Sequence, residues 1–560
     1  MVKHERHIET DILIVGGGSA GCMAAIRAKE IAPDLRVAVM EKGDLMYSGC
    51  IAMGMDALNI VAIPGFTSPE LYLEATTLAC EGVVDGGPSL EMAARSWELL
   101  KKLEAWGVHF PMKNGKYETL QVHPKGEFLV TMKEPDLKKI IARRVYDMGC
   151  RVINRTMAFE LMMEGDRVAG VLGYNVRTGE LVICRAKAVI ICSGGLARFS
   201  LPNSGYLYGV YDFPGNTGDG WAMSYRAGAE LTGMEYTTCY CIIKDIGAPL
   251  LYITLTRGAQ ALNGLGKPIE GGHISIKTLV QEYADGRGPV FMRLKHLPEE
   301  KIQEIEDILF TTERPVMERF FKGRGIDFRK TDIELYNTEH FLCSGHGQAG
   351  LVVNQVGETN LRGLLAAGDA ACVARGHLTG AFAFGEAAAD RAAEICRSEQ
   401  RASPEAAGVD GARRKLAGIF KMDGPVDPHQ FEYKVRRLIG DYLVPPKNEI
   451  KLKLGLEWMD RFATMLDSTV RVTDPHWASK ILEIESIIDT ATLSGCASLA
   501  RTESRWGYWH YRTDYPQRND DEWVRHVVLS KGDEQRRPRV TLRDIDLLPL
   551  QQGLWPAAAP

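Results

Sequence analysis

Three glycines, Gly16, Gly18 and Gly21, stand at G-x-G-x-x-G spacing directly after the apolar run Ile-Leu-Ile-Val at 12–15. The residue types suit the binding of a dinucleotide diphosphate. The first glycine permits a tight turn, the second lets backbone approach the phosphates, and the third lets a helix pack on a strand. The stretch 20–31 has helical character, so free N–H groups and the positive end of a helix dipole face the anion around Ser19 and Ala20. A second apolar run, 37–40, ends in Glu41, about twenty residues on, where a carboxylate accepts from ribose hydroxyls. A further turn, Ser193-Gly194-Gly195 after the buried run 188–192, can bring backbone near a cofactor a second time.

The elements that must hold these turns follow from the periodicity. Residues 11–42 read as a strand–helix–strand unit, with continuous apolar strands of the buried parallel kind. Segment 48–59 is rich in glycine and small residues, as befits backbone lying against a flat ring. Helices are predicted over 68–81, 90–105 and 136–147, then strands over 151–154, 157–163, 167–174, 180–186 and 188–192. The α/β pattern breaks from 230 to 343 and returns at 350–369, followed by a small-residue helix over 380–395. Residues 397–411 have linker composition, and helices are predicted over 432–442, 449–467 and 476–501. Residues 1–10 read as a polar lead-in. Residues 508–560 are polar and strand-like in places, with a disordered Pro/Ala tail.

At 560 residues the chain exceeds one core, and two to four domains are expected. Its 45% hydrophobic and 25% charged residues are ordinary for a globular protein. A net charge of −5 leaves no basic footprint for nucleic acid. No run approaches roughly eighteen apolar residues, so no membrane span is expected. The N-terminus lacks the apolar segment of a secretory signal, which makes the cytoplasm the default location. Twelve cysteines are scattered without a C-x-x-C pair, so neither zinc nor an iron–sulfur cluster is expected on this chain. Cys239 and Cys241 read as pocket lining.

Several motifs together resemble one superfamily. Gly16-x-Gly18-x-x-Gly21 with Glu41, Ser48-Gly49 onward, Thr217-Gly218-Asp219-Gly220 with Arg226-Ala227-Gly228-Ala229, Ala367-Gly368-Asp369, and Arg501-Thr502-Glu503-Ser504-Arg505 occur in the order seen in fumarate reductase and succinate dehydrogenase flavoproteins. Local motifs such as Ala57-Leu58-Asn59, Asp285-Gly286-Arg287-Gly288-Pro289 and Gly376-His377-Leu378-Thr379-Gly380-Ala381 look nearer to the alpha chain of adenylylsulfate reductase. The resemblance covers nearly the whole chain. It implies an α/β (α+β overall) fold: a split Rossmann-like FAD domain over 1–229 and 346–400, an inserted capping domain over 230–345, and a C-terminal helical domain and tail over 401–560. The implied cofactor is FAD. The histidine that bonds covalently to flavin in succinate dehydrogenases is absent from Tyr47-Ser48-Gly49-Cys50, so the flavin is expected to be noncovalent. The implied FAD contacts are Gly16, Gly18, Ser19, Ala20, Gly21, Glu41, Lys42, Ser48, Gly49, Asn59, Ser193, Gly194, Gly195, Asp219, Gly368, Asp369, Gly380 and Ala381.

The resemblance also suggests catalytic candidates. Arg257, in Arg257-Gly258-Ala259, matches the segment whose arginine delivers a proton in fumarate reductases; its planar fork also suits an anionic substrate. His346 lies near the family's substrate histidine, His377 near the Gly368-Asp369 turn, and Tyr240 stands where a family histidine would be. The family's Asn-Arg-Leu-Gly-Gly-Asn motif is missing, which leaves the substrate open. Arg501 and Arg505 are expected to form a domain-bridging network with Glu503. The leading expectation is an oxidoreductase exchanging a hydride or electron pair between flavin N5 and a small anionic substrate, with electrons passing to or from a ferredoxin-like iron–sulfur subunit. The alternatives are a self-contained soluble flavin reductase or dehydrogenase for an unsaturated or keto acid, and a non-catalytic flavin-binding scaffold.

Overall fold

The computed structural model describes residues 4–202, 211–246, 251–269, 276–313, 317–400, 408–533 and 536–546. At its centre lies a five-stranded parallel sheet in the order Leu364–Ala366, Ala188–Ile191, Ile12–Val15, Val37–Met40 and Arg151–Ile153. The strands Ile12–Val15, Val37–Met40 and Ala188–Ile191 are buried at every residue, as their unbroken apolar runs require of a sheet covered on both faces. The helices Ser19–Ile31 and His377–Ser398 pack on each other beside this sheet. Their approach is close because the facing residues are small: a Cβ on Gly385 would meet the Ala20 carbonyl oxygen at 2.6 Å. The strand added by Leu364–Ala366 joins chain segments far apart in sequence into one parallel sheet.

A second, four-stranded sheet packs against the first. It pairs Glu5–Glu9 in parallel with Leu181–Arg185, and then continues antiparallel through Arg167–Asn175 and Thr156–Glu164. The reading of residues 1–10 as a mere lead-in is therefore corrected. Glu5–Glu9 is an edge strand in which only Ile8 is buried, so it carries no alternating pattern to betray it. The linker expected over 397–411 is corrected in part. The helix His377–Ser398 runs into it, and a further helix, Val409–Ile419, starts within it. Residues 401–407 and the Pro/Ala tail lie outside the described residues.

Between 241 and 337 the chain forms a separate antiparallel sheet in the order Cys241–Ile243, Ile333–Asn337, Val290–Arg293 and Gln260–Leu262. It has its own apolar core, including Ile253, Leu279, Met292, Ile305, Phe321 and Phe328. The two crossings into this cap run side by side: Leu231–Thr232 pairs antiparallel with Gly350–Leu351. The same short strand also pairs with Arg525–Ser530, whose hairpin partner is Arg539–Asp544. The polar C-terminal stretch thus becomes a ribbon laid across the foot of the cap.

The helices Pro428–Tyr442, Glu449–Thr469 and Pro475–Ala500 complete the molecule. Asp427, Asn448 and Asp474 cap them, accepting from the N–H groups of Gln430, Lys451 and Trp477. Among the described residues no helix is long and apolar enough to cross a membrane.

Candidate functional site

A single cavity of about 1180 Å³ runs from the glycine loop to the underside of the cap. Gly16, Gly18, Ser19, Ala20, Glu41 and Lys42 line it near the loop; Ser48, Gly49, Ser193, Gly194, Asp219, Gly368, Asp369 and Ala381 line it further on. Asn59, Tyr240, His346 and His377 line it toward the cap. Gly21, Gly195 and Gly380 do not line it, and their glycines serve packing instead. A Cβ on Gly21 would sit 1.9 Å from the Gly16 carbonyl oxygen, and one on Gly195 would sit 2.3 Å from that of Leu342.

The loop is shaped as an anion cradle. Gly16 has φ +99°, and a Cβ there would meet the Cys192 carbonyl oxygen at 2.4 Å. The helix Ser19–Ile31 begins at Gly18 with no side-chain cap and no acid in its first turn, so its N–H groups stay available to a ligand. The Glu41 carboxylate accepts from the N–H groups of Gly17 (2.7 Å) and Gly43 (2.6 Å), which ties the end of one strand to the loop of another. Lys42 donates to Asp219 (2.6 Å) and Thr217 (2.8 Å) and lies 3.1 Å from Glu483. Asp219 and Lys42 therefore meet the cavity as a pair. Glu483 continues that pair into a buried network with Arg198 and Glu432.

Among the buried polar atoms on this stretch of the cavity wall, Asn59 Oδ1 and Ser193 Oγ have no protein partner. Unpaired buried polar groups are costly, so these point to a polar ligand. Asp369 lies near Cys50 and Asp212, and the Cys50 thiol donates to Asp212. Burial, reinforced by Asp212, pushes the Asp369 carboxyl up to about 7. Cys241 lines the cavity, whereas the buried Cys239 does not.

The cap end gathers aromatic and basic groups. The Tyr240 ring lies 5.0 Å from that of His346, which lies 5.0 Å from that of His377. Trp509 stands 6.4 Å from Tyr240 and 4.6 Å from Trp506, and both tryptophans line the cavity. Arg375 and His123 lie in the same wall. The Arg375 Nε is buried without a partner, and among the described residues the guanidinium forms no ion pair. Its backbone is in the left-handed region, φ +52°, a conformation a non-glycine residue adopts at a cost. Burial and then Arg375 lower His346 to about 4 and His123 to about 3; the same causes, with His346 itself, hold His377 well below its usual range. These rings are neutral, and burial also keeps the Tyr240 hydroxyl protonated.

Sequence reasoning placed Arg257 here, and the structure does not. Its Nε donates to Glu304 at 2.7 Å and its Nη1 to the Ile253 carbonyl at 2.9 Å, so the side chain is drawn into the cap while its neighbour Thr256 lines the cavity. An arginine that the local motifs do not point to, Arg375, reaches the cap end of the cavity, as do His123, Trp506 and Trp509; Arg155 and Arg177 line it elsewhere. The available signal for Arg375 was a lone charge in the small-residue stretch between Asp369 and His377.

A pH dependence follows. His123 is buried edge-on to Tyr72 and Phe128. Its folded-state pKa of about 3 lies below its ordinary 6.5, so the unfolded chain binds the extra proton between these values. The histidine's contribution is therefore lost as pH falls below about 6.5. His123→Phe removes this loss. In denaturant titrations the variant should gain on the parent by about 1.4 kcal/mol per pH unit between pH 6 and 4, and a constant difference would refute the assignment.

Comparison with known proteins converges on one group. A family model described as an FAD binding domain matches residues 11–383, and one described as fumarate reductase flavoprotein C-term matches 434–556. A CoM/CoB fumarate reductase subunit of Methanothermobacter marburgensis is 26% identical, over 93% of this chain and 97% of that one. The succinate dehydrogenase flavoprotein subunit of Rickettsia bellii is 26% identical, over 97% and 96%. Among solved structures, adenylylsulfate reductase from Archaeoglobus fulgidus superposes with a TM-score of 0.87 at 24% identity, covering 97% of this chain and 96% of that one. A quinol fumarate reductase chain of E. coli gives 0.81 at 19% identity, covering 97% and 98%. These two likenesses establish the fold.

Proposed function

Because the chain belongs to the fumarate reductase/succinate dehydrogenase flavoprotein superfamily and is an FAD-dependent oxidoreductase, we propose that it moves an electron pair between flavin and a small anionic substrate and exchanges those electrons with a separate iron–sulfur subunit. The residues present fit FAD: an uncapped helix N-terminus behind a glycine cradle, an acid at the strand end, and orphaned polar atoms at Asn59 and Ser193. With no histidine in the Ser48 segment, the cofactor is held noncovalently. When bound, it supplies a hydride acceptor and donor at flavin N5.

The observation that carries the substrate reading is the Arg375 guanidinium, which lines the cavity with a buried, unpartnered Nε and no carboxylate paired to it among the described residues. A planar fork in that state is suited to a carboxylate, sulfate or phosphate, which it engages in bidentate fashion. Neutral His346 and His377 can each offer one ring N–H and one acceptor nitrogen to the same substrate, and Tyr240 offers a hydroxyl proton. The tryptophans Trp506 and Trp509 wall this end with apolar ring faces. Arg375, rather than Arg257, is the arginine we assign to the substrate.

The partner reading draws on the cysteines. All twelve are free and none forms a C-x-x-C pair, so the chain offers no evident cluster ligands, and the relatives named above include flavoprotein chains that are themselves parts of larger assemblies by name. Two measurements test the proposal. The photoreduced flavin should be reoxidised by an anion from a panel including fumarate and adenylylsulfate; equal rates with uncharged analogues would sink the anionic substrate. Co-expression with the neighbouring reading frames should yield a cysteine-rich, iron-containing partner on purification. If the isolated chain turns over with nicotinamide or quinone as fast as with any partner, the claim of a partner falls.

A further inference from the structure

Lys138 is a buried cation that makes no ion pair among the described residues. It sits in the first turn of the helix Leu137–Asp147 and is 3% exposed. Its Nζ donates to the Gly17 carbonyl oxygen and to Cys22 Sγ at 3.4 Å. Among the described residues these neutral groups are its only partners. An ammonium held out of water without an ion pair is costly, and such groups persist where something compensates them.

What Lys138 grips is the floor of the glycine loop. The Gly17 carbonyl belongs to the peptide joining Gly17 to Gly18, and in a trans peptide the C=O and the following N–H point in opposite directions. With the carbonyl turned down to Lys138, the Gly18 N–H turns up toward the cavity that Gly18 lines. The N–H of Gly17 itself is held by Glu41 at 2.7 Å. One residue is thus clamped on both sides by side chains of opposite charge from different elements. The Cys22 thiol adds a third tie, donating to the same carbonyl at 3.3 Å.

We infer that Lys138 is a positioning residue for the dinucleotide diphosphate. It sets the Gly18 N–H toward the phosphates and supplies, from beneath the loop, a positive charge that the diphosphate neutralises. The diphosphate then adds to the compensation that the Glu41 carboxylate, across Gly17, gives this buried charge. The inference rests on FAD as the cofactor.

The test compares apoprotein of the parent and of Lys138→Met, a near-isosteric change that keeps the packing. Titration with FAD and with ADP should show both affinities weakened on the order of tenfold or more. The apoprotein melting temperature should stay equal or rise, because a buried charge without an ion pair has been removed. Unchanged affinities would overturn the inference. So would a lowered apoprotein melting temperature, the sign of a packing role. Where the methionine variant does not fold, Lys138→Gln is read by the same outcomes. A parent apoprotein that bound neither ligand would count against the cofactor assignment rather than against Lys138.

Discussion

Replacing Arg375 by methionine should lower kcat/KM for the anionic substrate on the order of a hundredfold or more, while the flavin spectrum and the amount of bound FAD stay as in the parent. Charge and reach set this expectation. Toward the cap, Arg375 is the cation on the cavity wall that no described carboxylate neutralises, whereas Lys42 is already committed to Asp219 and Glu483. A charge-assisted pair in a water-poor site is among the stronger polar interactions, and removing one partner leaves the substrate anion unpaired. Arg375→Lys should retain only part of the activity, because a point charge cannot reproduce the fork. A second readout separates a substrate role from a structural one. Arg375 helps hold His346 and His377 low, so in the methionine variant both rings should titrate at higher pH, visible in the pH–rate profile or in ring proton resonances. An unchanged kcat/KM, or a loss of bound flavin in step with activity, would remove Arg375 from the substrate site.

The largest loss of stability is expected from Glu503→Ala. Its Oε1 accepts from Arg501 Nη1 at 2.8 Å and from Arg505 Nε at 2.6 Å; its Oε2 accepts from Arg505 Nη2 at 3.0 Å and from the Asn519 N–H at 2.9 Å. Arg501 in turn reaches Glu235 at 2.8 Å and the carbonyls of Trp523 and Arg525. The side chains of Glu235, Arg501, Glu503 and Arg505 are 0% exposed. Alanine would leave two buried guanidinium groups short of their shared counter-charge. Breaking a buried pair in this way costs about 3–5 kcal/mol, and chemical denaturation should register a loss of that size. A loss below about 1 kcal/mol would mean that water or Glu235 and Asp520 compensate. Because the network joins residue 235 to the C-terminal segment, Glu503→Ala should also loosen the cap's attachment and shorten the retention of FAD.

The two arginines show what could be read from the chain and what could not. The strand–glycine–helix–strand unit was legible because its local periodicity and its chemistry coincide within 31 residues, Ile12 to Lys42, of continuous sequence. Helix ends were legible where a cap announces them, as at Asp427, Asn448 and Asp474. Arg501, Glu503 and Arg505 were legible as a bridging network because alternate residues in one short segment must meet. Arg257 misled, since a local motif says nothing of which way a loop side chain turns; Glu304, 47 residues away, decides it. Arg375 and His123 come together with His346 only because three separate loops converge, and no local spacing encodes that meeting. Glu5–Glu9 escaped for the opposite reason: its partner strand lies at Leu181–Arg185, and it buries too little to carry a pattern.

The ribbon at the foot of the cap governs the order in which the protein can be made. Leu231–Thr232 and Gly350–Leu351 carry the chain into and out of the cap, and the strand that pairs with the first of them, Arg525–Ser530, is translated long after both. The wall formed by Trp506 and Trp509 emerges almost as late. A growing chain can pair its parallel strands and fold the cap's own core while still on the ribosome, since domains fold as units from the N-terminal side. It cannot complete the cavity until the segment from Trp506 to Ser530 has joined it. Enclosure of the flavin is therefore a late step of folding, and a chain stalled before Arg525 would lack the strand that lies across the foot of the cap.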